Sequence, residues 1–197
     1  PVTSSAPAPD DKKNRLLDAA LGTFVRFGFR KTSMEEVARA ADVSRQTLYL
    51  HFATKEDLFR AAVAHAMETG LDIAARSLRD PSLSIQEKLA GAFDGWFGRY
   101  IGMIGADVSD LEEMGHALVG PLFAESEERF VEMITKAIRG SGLPAAYRSE
   151  GIRARQLGDM LTATARGLKH QCSSRSEFAE RFGVALRALC MMLRDRR

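Results

Sequence analysis

Three helix-start signals crowd into the stretch from Ser33 to Thr54, and that crowding limits the architecture more than any other feature of the chain. Ser33 to Glu36 reads S-M-E-E, a capping box in which hydroxyl and carboxylate satisfy each other's orphan backbone amides. The helix it opens runs to Ala41, with Met34, Val37, Ala38 and Ala41 facing in. Another start follows at Ser44 after only Asp42 and Val43, and a further one at Thr54, where T-K-E-D repeats the capping logic ahead of Leu58, Ala61 and Ala62. Two short helices joined by a turn of about three to four residues cannot lie antiparallel, so they cross steeply, as in a helix-turn-helix. On spacing alone, an ordinary corner in a helical bundle is the alternative.

The same periodicity continues almost to the end of the chain. Apolar residues recur at helical spacing, Gly and Pro act as punctuation, and no period-2 strand is convincing. The fold class is all-α, with about nine helices: a three-helix head and a larger helical body. The first helix starts with Asp10 or Asp11 as N-cap and buries Leu16, Leu17, Ala20, Leu21, Phe24 and Phe27, and Gly28 stops it in the C′ position. Pro1 to Pro9 is small and polar and is expected to be a disordered arm. Residues 10–62 form the head and residues 63–197 the body.

With 197 residues and 45% hydrophobic content the chain can bury a core. No stretch approaches eighteen apolar residues and the N-terminus lacks a charged-then-apolar signal, so the expectation is a soluble, cytoplasmic protein. Cys172 and Cys190 sit inside helical patterns, which fits buried thiols better than a disulfide framework or metal knuckle. The net charge of +2 says little, but its distribution says more. From Lys12 to His65 ten Lys and Arg face six Asp and Glu, while residues 66–197 hold eighteen of each. The positive excess lies in the N-terminal quarter, where a nucleic-acid footprint requires it.

The third helix reads S-R-Q-T-L-Y-L-H-F from Ser44 to Phe52. Leu48 and Phe52, four apart, pack inward with Val43, which leaves Arg45, Gln46, Tyr49 and Leu50 outward and Thr47 and His51 at the edges. An outward Leu and Tyr on a short helix make little sense in water. They make sense in a major groove, where Arg forks onto guanine, Gln reaches adenine and an aliphatic group meets a thymine methyl. Thr47, Tyr49, His51 and Lys55 carry groups suited to phosphate oxygens, and the amides at the helix starts near Ser33, Ser44 and Thr54 add anion contacts. Taken singly, His51 reads sooner as a solvated or cap-bonded histidine, and the constellation around it changes that balance.

The stretch T-S-M-E-E-V-A-R-A-A-D-V-S-R-Q-T-L-Y-L-H-F-A-T-K-E-D-L-F, Thr32 to Phe59, closely resembles the signature of the tetracycline-repressor (TetR) family. The resemblance spans roughly Lys12 to Val63. It implies that Ser44 to His51 is a recognition helix, with Arg45, Gln46 and Leu50 nearest bases and Ser33, Ser44, Thr47, Tyr49, His51 and Lys55 positioning phosphates. One departure is visible: Asp42 stands in the turn where the family usually places Gly, and Asp tolerates left-handed backbone better than most residues.

In the body, the fourth helix extends from Thr54 to about Ser77, and Pro81 with Ser82 precedes a fifth, roughly Ser84 to Ile104. Phe93, Trp96, Phe97 and Tyr100 form a stripe on it that reads either as core or as a ligand pocket, and the resemblance places a pocket among these middle helices. Met114, His116, Phe123, Phe130 and Met133 complete the candidate lining, on a short helix ending near Pro121 and a seventh helix beyond it. Glu112 and His116, one turn apart, read as a salt bridge or polar contact rather than a metal site. Gly140, Ser141, Gly142 and Pro144 then break the chain before two long helices, Arg148 to His170 and Ser174 to Asp195. By resemblance these are the dimer elements, through Gly158, Ala163, Ala165 and Gly167 on one and Phe178, Phe182, Leu186 and Leu189, with Ala185 and Met192, on the other; the alternative is that they close the monomer's own core.

The expectation is therefore a homodimeric, sequence-specific DNA-binding regulator, a repressor released from a near-palindromic operator by a small, mostly apolar ligand. A constitutive or activating DNA-binding protein without an effector is the alternative. An enzyme built around Trp96, Tyr100, His116 and Glu112 finds no support, since no nucleophile elbow, phosphate-binding glycine loop or metal-ligand cluster accompanies them. No cofactor or metal is expected.

Overall fold

The structure, a computed structural model, describes residues 9–102, 109–191 and 193, and within these it excludes the side chains of residues 9–11, 109–112 and 116. The expected arm falls outside the described residues except at Pro9, as do the side chains of Glu112, His116 and Met192. Among the described residues the chain forms nine α-helices and one 3-10 turn. They are α1 (Pro9–Phe27), α2 (Met34–Ala40), α3 (Arg45–His51), α4 (Lys55–Arg79), α5 (Ile85–Trp96), the 3-10 turn Gly98–Tyr100, α6 (Ser109–Arg139), α7 (Leu143–Ala146), α8 (Ala154–Lys169) and α9 (Arg175–Met191). No helix among them is long and apolar enough to cross a membrane.

The chain divides into two compact units, a head of residues 1–67 with 103–122, and a body of 68–102 with 123–197. The boundary expected at 62/63 lies within α4, which begins in the head and ends in the body, and α6 does the same.

The head is organised around three phenylalanine rings. Phe24, Phe29 and Phe59 meet pairwise, with centroids 5.2 to 5.6 Å apart, and Leu16, Leu17, Ala20, Leu21, Val37 and Leu48 complete the burial. Gly28 ends α1 at φ 85°, and its amide donates to the Phe24 carbonyl at 2.9 Å. That left-handed residue redirects the chain so that Phe29, not Phe27, enters the core. Phe27 is 49% exposed and stacks under Arg26 instead. Ala41, expected inside, is the partly buried C-cap of α2.

The body closes on a second aromatic cluster. Phe93 is fully buried and lies 5.1 Å from Phe130 and 4.7 Å from Phe182, while Trp96 stacks on Phe130 at 5.1 Å. Helix α5 opens on a capping box between Ser84 and Glu87. It approaches α4 closely because Gly91 and Gly95 carry no side chain: a Cβ at Gly91 would fall 2.3 Å from Ser77 Oγ, and one at Gly95 2.4 Å from Ile73 Cγ2. The Tyr147 hydroxyl donates to the Leu189 carbonyl at 2.9 Å and ties the segment after α7 to α9.

Four boundaries differ from expectation. Helix α1 begins at Pro9 and includes Asp10 and Asp11 rather than taking one of them as its N-cap. Helix α5 stops at Trp96 and tightens into the 3-10 turn, so Tyr100 leaves the helical stripe. Pro121 lies inside α6 rather than ending a shorter helix. A proline removes one backbone bond but holds a helical φ, and buried Val119, Ser126 and Phe130 on either side keep the helix packed through it. Beyond α6, Pro144 starts the single turn α7 instead of a loop, and Gly151 at φ 68° precedes α8, which therefore begins at Ala154 rather than Arg148.

Phe29→Ala is expected to destabilise the protein by about 3–5 kcal/mol and Phe27→Ala by under about 1 kcal/mol, as read by urea denaturation followed by circular dichroism.

Candidate nucleic-acid interface

Seven residues are too few for a stable isolated helix, so α3 is held by what flanks and underlies it. Ser44 caps its start, with the Thr47 amide donating to Ser44 Oγ at 3.0 Å and the two hydroxyls 2.7 Å apart. Leu48 is fully buried and Phe52 nearly so. Before it, α2 ends in a Schellman turn: the Val43 amide donates to the Ala38 carbonyl at 3.0 Å and the Asp42 amide to Arg39 at 3.3 Å. Asp42 occupies the left-handed position at φ 53°, so the turn forms with Asp where the family usually has Gly, as expected from the tolerance of Asp for left-handed backbone.

With Leu48 inside, the opposite face stands in solvent. Arg45, Gln46 and His51 are exposed, Tyr49 is 44% exposed and Leu50 78%. The Arg45 guanidinium lies 5.7 Å from the Tyr49 ring centroid, which pre-orients both side chains along the helix. Thr47 is partly buried, its hydroxyl occupied by Ser44.

Beside this face opens a cleft of about 460 Å³, lined by Ser33, Arg45, Tyr49, Thr54 and Lys55. Two helix starts border it. At α2 the Ser33 amide and hydroxyl donate to Glu36 Oε2 at 2.7 and 2.8 Å. At α4 the Asp57 amide donates to Thr54 Oγ1 at 3.0 Å, and that hydroxyl donates to Asp57 Oδ2 at 2.7 Å. The Ser33 amide, then its hydroxyl, hold the Glu36 carboxyl below its ordinary value.

Arg30 and Lys31 also line the cleft and escaped the sequence reading. Their signal was a basic pair directly ahead of the capping box. Arg30 donates to Glu113 of α6 at 2.9 Å, and both side chains are 64% exposed, so the pair adds little stability by itself. Lys55, read as a phosphate contact, is engaged within the head. Its ammonium donates to the carbonyls of Phe29 at 2.9 Å and Thr32 at 3.0 Å and lies 4.5 Å from the Phe29 ring centroid. It braces the α1–α2 loop that forms the cleft wall.

The remaining predicted residues separate. Phe93, Phe97 and Phe130 are core, their rings in mutual contact. Trp96, Tyr100 and Met133 are partly buried in the body, and Met114 partly buried in the head unit. Phe123 is 42% exposed and does not join them. Of the expected dimer residues, Phe178, Phe182, Leu186, Leu189 and Ala165 are buried within the monomer. Gly158 packs on α6, where a Cβ would lie 3.1 Å from Thr135 Oγ1. Only Ala163 and Gly167 remain exposed. The apolar stripes of α8 and α9 are consumed by the core of a body that small, and periodicity does not say which partner a stripe meets.

A short, capped helix presenting polar and apolar side chains outward from a buried three-helix scaffold defines a helix-turn-helix head. Residues 16–62 match the family model described as bacterial regulatory proteins, tetR family. The transcriptional regulator RutR of Escherichia coli strain K12 is 40% identical over 60 residues, 30% of this chain and 28% of RutR. The transcriptional activator FasR of Mycolicibacterium smegmatis is 31% identical over 88 residues, 43% of this chain and 40% of FasR. The matched region therefore spans well under half of these curated relatives. A putative TetR-family regulator from Mesorhizobium loti shares the fold over 94% of this chain and 98% of its own, with a TM-score of 0.64 at 18% identity. Residues 16–62 are therefore similar in sequence to the TetR family of bacterial regulatory proteins, and most of the chain shares the fold of a TetR-family regulator.

Replacing Asp42 by Gly is expected to raise the melting temperature, and replacing it by Val to cost roughly 1–2 kcal/mol or more, in thermal melts at neutral pH. Glu36 contributes in its ionised form, and its depressed pKa means that this contribution is present above the ordinary glutamate range and lost as pH falls through it. Acid titrations of stability should therefore be less steep for Glu36→Gln than for the native protein.

Proposed function

We propose that the protein is a homodimeric, sequence-specific DNA-binding repressor, released from a near-palindromic operator by a small molecule bound in the body. The observation that carries this reading is the outward face of α3, where Arg45, Gln46, Tyr49 and Leu50 stand exposed over the buried Leu48. Arg45, Gln46 and Leu50 read base edges. Ser33, Ser44, Thr47, Tyr49 and His51 set the register on phosphates, with Arg30 and Lys31 added from the cleft and Lys55 bracing its wall.

Dimerisation supplies the second copy of α3. In place of the buried residues, the interface takes the outward faces of α8 and α9: Met160, Ala163 and Gly167 on one, Val184, Ala188 and Met191 on the other. All six are exposed, with Met160 at 46%, Val184 at 56% and Met191 at 60%. They follow helical spacing, and the small residues allow close approach between copies. Two α3 helices then enter successive major grooves about 34–36 Å apart.

Release follows from continuity. Helices α4 and α6 each begin in the head unit and end in the body unit, so a ligand that moves either one changes the separation of the two α3 helices. DNA and ligand then oppose each other with a coupling of roughly 1–3 kcal/mol.

Selection of binding sites from a random DNA pool at moderate salt tests the reading directly. Enrichment of an inverted repeat is expected, and binding that is salt-sensitive and indifferent to sequence would overturn it. On the selected site, Arg45→Ala should lose about 1–3 kcal/mol at one base position only. Val184→Arg should shift the protein from dimer to monomer in analytical ultracentrifugation without unfolding it.

A further inference from the structure

Arg99 lies on the 3-10 turn that follows α5. Its Nη1 is shut off from solvent and has no hydrogen-bond partner among the described residues. The guanidinium carbon is 5.3 Å from the centroid of the Tyr100 ring. An aromatic face satisfies the plane of a guanidinium by a cation–π contact, but the N–H groups lie in that plane and still need an acceptor.

The neighbouring acid is already engaged. Both oxygens of Asp94 accept from Arg175, Nε at 2.8 Å and Nη2 at 2.5 Å. That pair sits directly against the turn, since a Cβ at Gly98 would lie 2.5 Å from Asp94 Oδ1 and 3.5 Å from Arg175 Cγ. Arg99 has no chemical escape either, because a guanidinium does not lose its proton in a protein. Arg99 as a whole is partly buried, but a buried N–H of a charged group left without an acceptor is costly. Where one persists, a water, an ion or a ligand supplies the missing acceptor. Three residues earlier, partly buried Trp96 presents an indole stacked on Phe130 at 5.1 Å. Cation and aromatic surface thus occur together on one short stretch of the body.

We propose that Arg99 anchors the carboxylate of a small organic acid, with Tyr100 and Trp96 taking its apolar portion. The guanidinium fork matches a carboxylate in two parallel hydrogen bonds, and burial makes those charge-assisted bonds strong. As the effector site of a regulator, this assignment rests on the ligand-release reading above; as a binding site, it does not.

Trp96 is the one tryptophan of the chain, so its fluorescence reports on this region of the full-length protein. Benzoate, phenylacetate and octanoate are titrated, each beside its uncharged amide, into the native protein and the Arg99→Gln and Arg99→Lys variants. At least one acid is expected to bind the native protein about tenfold or more tightly than its amide. Arg99→Gln should abolish that preference, and Arg99→Lys, a point charge without the fork, should weaken it. Without ligand, Arg99→Gln should melt no lower than the native protein, because it removes a buried donor that lacks an acceptor among the described residues.

Equal binding of acid and amide, no binding of any of the three acids, or an acid preference that survives Arg99→Gln would each overturn the site. Operator affinity measured in the same samples separates the two readings. Acids that bind through Arg99 and leave the operator bound overturn ligand release but keep the site. A neutral compound that releases the operator while all three acids fail keeps ligand release and overturns the site.

Discussion

A single buried leucine holds the outward chemistry of the head in place. Helix α3 has seven residues, too few to persist without tertiary support, and Leu48 with Phe52 ties it to the scaffold of α1 and α2. Once that side is buried, helical geometry sends Arg45, Gln46, Tyr49 and Leu50 to the other. The Schellman turn at Asp42 and the Ser33 and Ser44 caps fix the angle at which this happens. Lys55 extends the same logic. A cation spent on three backbone carbonyls, those of Phe29 and Thr32 at short range and that of Arg30 at 3.5 Å, stiffens the loop bordering the cleft.

The body solves a different problem. Its helices enclose Phe93, Phe130, Phe178 and Phe182, fully or nearly fully buried, and the ring contacts among them make this a well-packed centre. Closing that centre uses the more apolar faces of α8 and α9, and what is left outside is sparser: methionine, valine and small residues among charges. Two arginines of α8, Arg155 and Arg166, pair with Glu128 and Glu127 of α6. These partly exposed pairs set orientation more than stability. Among the described residues, the buried Nη1 of Arg99 departs from this pattern of satisfied charge.

Local signals were legible where capping chemistry wrote them. Ser33, Ser44 and Thr54 all start helices where their hydroxyls predicted, and Gly28 stops α1 with the expected left-handed backbone. Asp42 does the work usually given to glycine, as its short polar side chain allows. The outward set on α3 followed from spacing alone, since one inward leucine at position 48 determines which residues lie opposite.

What the order of residues could not express is which neighbour a buried stripe meets. Phe27 and Phe29 are equally apolar, and only the redirection of the chain at Gly28 decides that Phe29 enters the core. Pro121 reads as a break, yet burial on both flanks carries α6 through it. Phe178, Phe182 and Leu186 read as a dimer face with monomer core as the alternative, and three-dimensional closure buries them in the monomer. Arg99 carries no sequence signal at all, because its meaning lies in an acceptor missing among the described residues. The sequence by itself determined the helical class, the caps at Ser33, Ser44 and Thr54 and the outward side of α3, for these depend on contacts within a few residues. The tertiary structure decided burial, pairing and which helices run on past a proline, for these depend on residues far apart in the chain.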